Sequence, residues 1–349
     1  MLGILRYGFI NTKIRGMKRE FITREQYLKL AELKYDELVD ELKRTPYGDS
    51  FRKMYRTPTP IELEKILLEE LTKSYIKVLR WLPTQAMRVI ALHMMKYEAE
   101  NIKALLRLKT LNAEAERLKQ HITPIPLGLK VEEYVKVYEE SKDIEEAVEK
   151  LMELGLPIPL NEAIEGELKD IKIIEARIDR MIYRELINEA DKLDGKSSKS
   201  IKGLLGLEID LTNVKNVLRA KKIGIDWSEL EEYIIAPTYK VNLKKLKSSF
   251  EKENYNEALK EALSENYLNL INAGLEALEK GGLEALEKLF SREIFRNYKK
   301  VWISGFKYDI SPVLAYLTRK ITEMKNLKVI AYGRSFGLPK EKIIEEIII

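Results

Sequence analysis

Apolar positions recur along most of the chain at the spacing of an amphipathic helix. From Ile61 to Leu71 they fall three and four residues apart, so a helix there buries one face. The same period appears over 144–154, 171–187, 255–263 and 275–290. Alternation typical of strands is scarce, because the segment 233–236 is too short to indicate one. The pattern therefore predicts an all-α protein.

Clusters of proline and glycine divide these predicted helices. Proline lacks the N–H that a helix interior needs and glycine favours a left-handed turn, so such clusters end helices. The breaks fall at 57–60, 123–128, 155–159, 194–200 and 236–237.

One motif occurs three times along the chain. It begins with an acid, followed three residues later by an asparagine. An aliphatic residue and then a lysine come directly after the asparagine, and a second base lies eight residues after the asparagine. Its copies are 98–109, 210–221 and 323–334. The asparagines are spaced by 112 and 113 residues, and Pro124 and Pro237 repeat the spacing of 113. The sequence therefore predicts three similar helical domains, at 1–122, 123–235 and 236–349.

Weaker echoes support the same period. They occur at 22–27, 129–134 and 241–246. The third copy is longer and contains the near-duplicates 274–280 and 282–288. This local duplication predicts a lengthened helical hairpin.

The motif separates an apolar side from a basic side when it is placed on a helix. At about 100° per residue, the aliphatic positions form one arc and the acid falls inside it. An unpaired buried carboxylate is costly, so each acid needs a partner, for which Arg15 and Arg177 are candidates. We interpret the acids and asparagines as a structural clamp that fixes helix crossings. Its residues are Glu98, Asn101, Asp210, Asn213, Glu323 and Asn326.

The lysine and arginine positions fall opposite the apolar arc. The first alternative to a purely structural motif is that these outward bases meet a partner protein. The candidate partner-facing residues are Lys103, Arg107, Lys215, Arg219 and Lys328. The second alternative is a phosphate or nucleotide site, but the chain has no glycine-rich loop of a known phosphate-binding type.

Composition narrows the classes of function. The chain has 61 Lys+Arg against 56 Asp+Glu, a net charge of +5, so its surface is mixed in sign and no nucleic-acid partner is expected. It has no cysteine and only two histidines, His93 and His121, which leaves almost nothing for a metal site or a catalytic triad. We expect His93 to be a satisfied core histidine, and we predict no catalytic, cofactor-binding or metal-binding residues.

The hydropathy of the chain bears on its location. Neither a secretory leader nor an apolar stretch of about 18 residues is evident. The sequence predicts a soluble, cytoplasmic protein that can still work beside a membrane.

Several segments together resemble a known family. They are Thr45-Pro-Tyr-Gly48, the motif around Asn101 with Tyr97 and Arg107, the motif around Asn213 with Ile209 and Arg219, the opening 7–18, and the ending Asn326–Ile330 with Gly337-Leu-Pro339. In order and spacing they resemble the C subunit of the archaeal A-type ATP synthase, the counterpart of the d subunit of vacuolar-type ATPases. The departures are Lys13, Tyr332 and the lack of a second Thr-Pro-Tyr-Gly.

The resemblance implies three similar helical domains arranged as a funnel-like socket. It implies a central-stalk rotor subunit, not itself catalytic, that lies on the cytoplasmic face of the membrane. Its implied partners are the subunits of the membrane rotor ring and the subunits of the central shaft. The rival hypotheses are a helical-repeat scaffold that binds other proteins, and an enzyme or nucleic-acid binder.

Overall fold

A computed structural model describes residues 2–51, 55–122, 125, 128–156, 158–165, 171–303 and 308–349. Throughout these ranges the regular structure is helical and no strand occurs, which confirms the predicted all-α class. Short 3₁₀ turns lie at Met17–Glu20, Leu160–Ile164 and Ser264–Asn266. The α-helices are α1 (Leu2–Gly16), α2 (Arg24–Glu32), α3 (Tyr35–Leu42), α4 (Gly48–Phe51), α5 (Pro60–Leu79), α6 (Thr84–Thr110), α7 (Ala115–His121), α8 (Val131–Glu140), α9 (Ile144–Glu153), α10 (Ile171–Asp191), α11 (Gly195–Ile223), α12 (Trp227–Glu232), α13 (Leu243–Glu251), α14 (Tyr255–Leu263), α15 (Leu268–Ile303), α16 (Ser311–Ser335) and α17 (Lys340–Glu346).

Local sequence signals set many of the helix starts. Helix α5 begins with Pro60 in its first turn, and the Thr59 hydroxyl accepts a hydrogen bond from the Glu62 amide while the Glu62 carboxylate accepts one from the Thr59 amide. Thr23 and Gln26 form the same reciprocal cap at the start of α2. These caps satisfy backbone donors that a helix start otherwise leaves unpaired.

The chain divides into two compact units. One unit consists of residues 1–84 and 295–349, and the other of residues 85–294. The predicted domain boundaries at 122/123 and 235/236 remain a prediction. The marker residues Thr123 and Pro124, which contributed to it, lie outside the described residues.

The continuous unit, 85–294, is built around an aliphatic core. Helices α11, α13 and α14 contribute to one cluster of buried residues, together with Leu270, Leu286 and Phe290 of α15. Its fully buried members include Val217, Leu246 and Leu259. Burying side chains of this size contributes about 1.5–3 kcal/mol each.

The discontinuous unit, 1–84 with 295–349, has an aromatic centre. The ring of Phe21 meets Tyr316 edge-on at 5.5 Å between centroids and Trp302 at 5.8 Å. All three side chains are buried. The N-terminal and C-terminal parts of the chain therefore share one core.

The near-duplicate segments of the third copy form a fold-back within α15. Its regular geometry is interrupted at Gly281 and Gly282, and Gly282 has φ 62°. A side chain placed on Gly274 would lie 3.3 Å from Leu286. Residues twelve apart on one straight helix are about 18 Å apart, so the chain turns back on itself here, as the predicted hairpin requires.

Candidate functional site

The three copies of the repeated motif lie on long helices. Residues 98–109 belong to α6, 210–221 to α11 and 323–334 to α16. We call these three the motif helices. Each holds one short helix, which we call its docked helix: α8 on α6, α13 on α11 and α2 on α16. The hydrogen bonds below define these pairs, and each pair lies within one unit.

At α11 the motif acid binds the start of the docked helix α13. The carboxylate of Asp210 is fully buried. It accepts hydrogen bonds from the amides of Tyr239 at 3.0 Å, Lys240 at 2.8 Å and Val241 at 3.2 Å. The Tyr267 hydroxyl donates a fourth at 2.7 Å. The acid thus holds the backbone that leads into α13.

The other two acids make the same kind of contact. Glu98 is fully buried and accepts from the amide of Leu129 at 2.7 Å, just before α8. Glu323 accepts from the amide of Ile22 at 2.6 Å, just before α2. Leu129, Ile22 and Val241 are the first residues of the three sequence echoes. The echoes therefore mark the segments that the motif acids hold.

The motif asparagines bind backbone farther along the chain. Asn213 donates to the carbonyl of Ile235 at 2.9 Å and accepts from the amide of the same residue at 2.8 Å. Asn326 makes the same pair with Ile348, at 2.7 and 2.9 Å. Both partners are 22 residues from the asparagine. Asn101 donates to Glu98 at 3.4 Å.

The base eight residues after each asparagine caps the end of the docked helix. Lys109 donates to the carbonyls of Tyr138 and Ser141 at the end of α8. Lys221 donates to the carbonyls of Phe250 and Lys252 at the end of α13. Arg334 donates to the carbonyl of Leu33 at the end of α2, at 2.7 Å.

The positions of acid and base match the dipole of the docked helix. A negative group at a helix N-terminus and a positive group at its C-terminus are each worth about 0.3–1 kcal/mol. Acid and base are eleven residues apart on the motif helix, a rise of about 16 Å. A docked helix of nine residues is about 14 Å long. The motif therefore grips one short parallel helix at both ends.

Burial changes the titration of these acids. It raises the pKa of Asp210 from its ordinary value, although the Tyr267 hydroxyl and the backbone amides oppose that rise. Burial likewise raises the pKa of Glu98, against the hydrogen bond from the Leu129 amide. Burial and the Asp210 charge together raise the pKa of Tyr267.

The candidate partner-facing bases of α6 are paired within the chain. Lys103 is only 5% exposed and its ammonium group lies 2.9 Å from Asp179 and 2.6 Å from Glu100. Burial works against its charge, but these two carboxylates raise the pKa of Lys103. Arg107 is exposed and forms a two-pronged pair with Glu175 of α10.

On α11 and α16 the corresponding bases are more open. Arg219 is exposed and pairs with Glu287 through two contacts of 2.6 Å. Lys328 is half-exposed and pairs with Glu64 of α5. Lys215 is partly buried, and burial together with the nearby Arg219 lowers its pKa.

The partners expected for the buried acids differ from those that the structure places there. Arg177 bonds to Glu232 at 3.2 Å and to the carbonyl of Glu165, not to a motif acid. The hydrogen-bond donors described at the three acids are backbone amides, the hydroxyls of Tyr267 and Tyr47, the amide of Asn101 and the Lys320 ammonium group. An amide N–H occurs at nearly every residue, so no residue type signals this kind of partner.

Sequence reasoning also missed the acids that pair with the exposed bases. Glu64, Glu175 and Glu287 are spaced by 111 and 112 residues, the period of the motif. Each pairs with a motif base. The repeat period could therefore have identified these three acids in the sequence. They were missed because many other glutamates surround them.

Two properties of the described residues bear on metal binding and on membrane insertion. No group of three or more histidine or acidic side chains in these ranges is arranged to hold a metal ion. None of the helices described has the length and apolar character needed to cross a membrane.

A cavity of about 250 Å³ in the discontinuous unit is lined by Lys73, Lys77, Lys320, Glu20 and Glu70, which gives it mixed charge.

Comparison with known proteins gives one consistent result. The sequence model of the ATP synthase (C/AC39) subunit family matches residues 10–346. The C subunit of the A-type ATP synthase from Methanocaldococcus jannaschii is 28% identical over 342 residues, which cover 97% of this chain and 85% of that protein. The protein of the same name from Archaeoglobus fulgidus is 27% identical, over 98% of this chain and 96% of its own. That from Methanothermobacter thermautotrophicus is 24% identical, over 99% and 88%.

Proposed function

Because the chain belongs to the ATP synthase (C/AC39) subunit family, we propose that it is the central-stalk rotor subunit of an A-type ATP synthase. In this role it joins the membrane rotor ring to the central shaft and transmits rotation between them, for ATP synthesis or hydrolysis linked to proton or sodium transport. It has no catalytic role of its own. It lies at the cytoplasmic face of the membrane as a peripheral subunit.

The observation that carries this proposal is the full-length match to the family. Relatives that bear the name of the A-type ATP synthase C subunit align over 97% or more of this chain. A match of that extent leaves no separate segment of the chain to supply a different activity.

The docked helices give the proposal a physical basis. A part that transmits torque has to resist shear between its helices. Each motif helix grips its docked helix at both ends, through a buried acid and a base. Fixing both ends of a helix prevents it from sliding along its neighbour, which a purely apolar contact resists less well.

We propose further that the three segments 1–122, 123–235 and 236–349 are copies of one module, joined in a cycle. The carboxylate of Glu98 in the first segment accepts a hydrogen bond from Leu129, which begins the echo in the second segment. The carboxylate of Asp210 in the second segment accepts one from Val241, which begins the echo in the third. The acid at Glu323 holds the echo at Ile22, in the first segment. Each copy is therefore completed by the next, and the last by the first.

Affinity purification from native membranes tests the proposed function. A tagged copy of the chain, expressed in its host, should copurify with rotor-ring, shaft and catalytic-head subunits. Membranes depleted of the chain should hydrolyse ATP without ion pumping, and adding it back should restore pumping. Copurification with unrelated proteins, but not with rotor subunits, would favour the rival scaffold hypothesis.

A further inference from the structure

The mixed-charge cavity of the discontinuous unit has the size of a small-molecule site. Its volume is about 250 Å³, and it lies between α5, α16, the 3₁₀ turn Met17–Glu20 and the loop that joins α3 to α4. A water molecule occupies about 30 Å³ in the liquid, so the cavity has room for several waters or for one small organic molecule that displaces them. Its five charged lining residues, three lysines and two glutamates, give it a net positive charge.

Lys320 contributes a buried ammonium group to this cavity, since the residue lines it and is only 7% exposed. Its Nζ donates to the carbonyl of Glu20 at 2.6 Å and to Oε1 of Glu323 at 2.9 Å. The rings of Phe21 and Tyr47 lie 4.6 and 5.4 Å from it and attract the charge without accepting a conventional hydrogen bond. An ammonium group has three donors, and burying its charge is costly unless they find acceptors. The hydrogen bonds among the described residues use two of them, so one is left for an acceptor in the cavity.

The fold does not require a charge at the position of Lys320. This residue lies six positions before the motif asparagine of its copy, and the other two copies have Met95 and Leu207 there. Both are buried. The donors described at the acids of those copies, Glu98 and Asp210, are amides and a tyrosine hydroxyl, so a motif acid is held without a lysine. The cavity therefore explains Lys320 better than the motif does.

Glu70 presents an unused acceptor to the same cavity. Its Oε1 accepts from the Ser50 hydroxyl and from the Lys73 ammonium group, both at 2.5 Å. None of the hydrogen bonds among the described residues uses its Oε2. Because Glu70 lines the cavity, that oxygen can accept from a donor held there. The lining thus leaves one donor and one acceptor open, and each belongs to a charged group.

The remaining charges of the lining form weak pairs. Lys73 and Lys77 lie one turn apart on α5, and their side chains are 64% and 49% exposed. Lys73 pairs with Glu70, and Lys77 pairs with Glu20 at 3.4 Å. Exposed ion pairs contribute little to stability. A ligand with matching charges can therefore replace either partner at little cost.

The signs of these charges determine which ligand fits. A simple anion would meet two glutamates and a simple cation would meet three lysines, and like charges repel. A molecule of both signs can place its acid groups against the lysines and an ammonium group against a glutamate. Apolar side chains complete the lining and suit a short carbon chain: Pro46, Leu67, Leu71 and Met324.

We infer that this cavity binds a small zwitterion, namely an amino acid with an acidic side chain. Its carboxylates bind Lys320 and Lys77, and its ammonium group binds Glu70. Such a molecule has a net negative charge, which complements the net positive charge of the lining. The inference goes beyond the proposed function and does not depend on it, since the rotor role stands whether or not the cavity is filled.

Calorimetric titration of the full chain with L-glutamate tests the inference. At constant ionic strength, binding should saturate at one molecule per chain. Glutarate has the same two carboxylates and carbon chain but no ammonium group, so it should bind at least tenfold more weakly. Equal binding of glutamate and glutarate, or no binding of glutamate at millimolar concentrations, would overturn the inference. Tighter binding of inorganic phosphate than of glutamate would overturn it too, because it would indicate a site for simple anions.

Two variants of the lining test the role of each charge. Glu70→Gln removes the negative charge and keeps an oxygen that can accept from Ser50. It should weaken the binding of glutamate at least tenfold but leave that of glutarate unchanged or stronger. Lys320→Met, the side chain of the first copy, should weaken the binding of both ligands at least tenfold. Loss of glutamate and glutarate alike in Glu70→Gln would contradict an ammonium contact at Glu70 and overturn the inference.

Lys280→Met is the matched control for the loss of one lysine. Lys280 pairs with Glu276 on α15, belongs to the other unit and does not line the cavity. This variant should bind both ligands as the natural chain does. Equal losses in Lys280→Met and Lys320→Met would indicate attraction by net charge alone and overturn the inference. If circular dichroism showed Lys320→Met to be unfolded, the opposite responses of glutamate and glutarate to Glu70→Gln would decide the question.

Discussion

Among the described motif residues, the side chain of Asp210 makes the largest number of hydrogen bonds to backbone groups. Its carboxylate accepts from three successive amides and one hydroxyl while fully buried. Removing it by Asp210→Ala leaves several buried donors without an acceptor. We expect the free energy of unfolding to fall by about 3 kcal/mol or more. Thermal unfolding followed by circular dichroism measures the effect.

A milder change and a matched control sharpen this prediction. Asp210→Asn keeps one acceptor oxygen and should cost less than Asp210→Ala. Asp226→Ala removes an exposed cap that accepts from the Glu229 amide at 2.9 Å, and should lower stability much less than Asp210→Ala does. Equal losses in Asp210→Ala and Asp226→Ala would contradict the clamp role of Asp210.

His93 makes stability depend on pH in a defined window. Its ring is buried, its Nδ1 has no hydrogen-bond partner among the described residues, and Lys96 and Glu208 lie nearby. Burial and the Lys96 charge lower the pKa of His93 to about 3 from an ordinary 6.5. Below pH 6.5 the unfolded chain therefore binds a proton at His93, whereas the folded chain binds it only near pH 3. The free energy of unfolding consequently falls as the pH falls from 6.5 towards 3. The expectation of a core histidine thus holds, but its ring is not satisfied.

The variant His93→Leu removes this proton linkage. Between pH 7.5 and pH 5 the natural chain should lose about 2 kcal/mol more stability than the variant. Melting curves of both chains at the two pH values measure the difference. Parallel loss in the two chains would show that His93 takes up a proton in the folded state.

At the scale of the helices, the contact between α11 and the segment before α13 depends on one glycine. A Cβ on Gly206 would lie 2.2 Å from Cγ of Tyr239, whose amide bonds to Asp210. Gly206→Ala should therefore destabilise the protein by about 1–3 kcal/mol, although alanine favours a helix. Unfolding measurements on Gly206→Ala test this, and Tyr239→Ala in the same chain should restore part of the loss.

Gly203 provides the control for this prediction. It lies on the same helix, and the nearest atom to an added Cβ is 3.9 Å away. Gly203→Ala should leave stability unchanged or raise it by up to about 1 kcal/mol. If both glycine variants behaved alike, helix propensity alone would explain them and the Tyr239 contact would have no role.

Which helices form was predictable, because apolar period and caps are local. The period over 61–71 and 144–154 coincides with α5 and α9, and Thr59 and Pro60 mark a start. What the acids bind was not predictable, because their donors are backbone amides some 30 residues away or, for Glu323, at the other end of the chain. A single helical wheel also assumes one buried face. Lys103 falls opposite the apolar arc, yet Asp179 of α10 covers that side as well.

At the scale of the whole molecule, the open question is which motif bases meet a partner and which serve only the fold. Reversing the charge of one base cannot separate partner binding from a role in folding, because the substitution also breaks an ion pair within the chain. Arg219 and Glu287 allow them to be separated, because the two side chains pair with each other at 2.6 Å and Arg219 is the more exposed. Exchanging them, Arg219→Glu with Glu287→Arg, keeps the pair but reverses the outward charge.

If Arg219 faces a partner in the assembled complex, the exchanged chain should fold normally and assemble poorly. Exposed pairs contribute about 0–1 kcal/mol, so the melting temperature should change little. Incorporation into complexes purified from native membranes should fall at least threefold, more at low salt than at high salt, because rim charges act mainly on association. The control exchange, Lys280→Glu with Glu276→Lys, reverses an exposed pair that includes no motif residue and should assemble normally. Normal assembly of the Arg219 exchange at both salt concentrations would return Arg219 to a purely internal role.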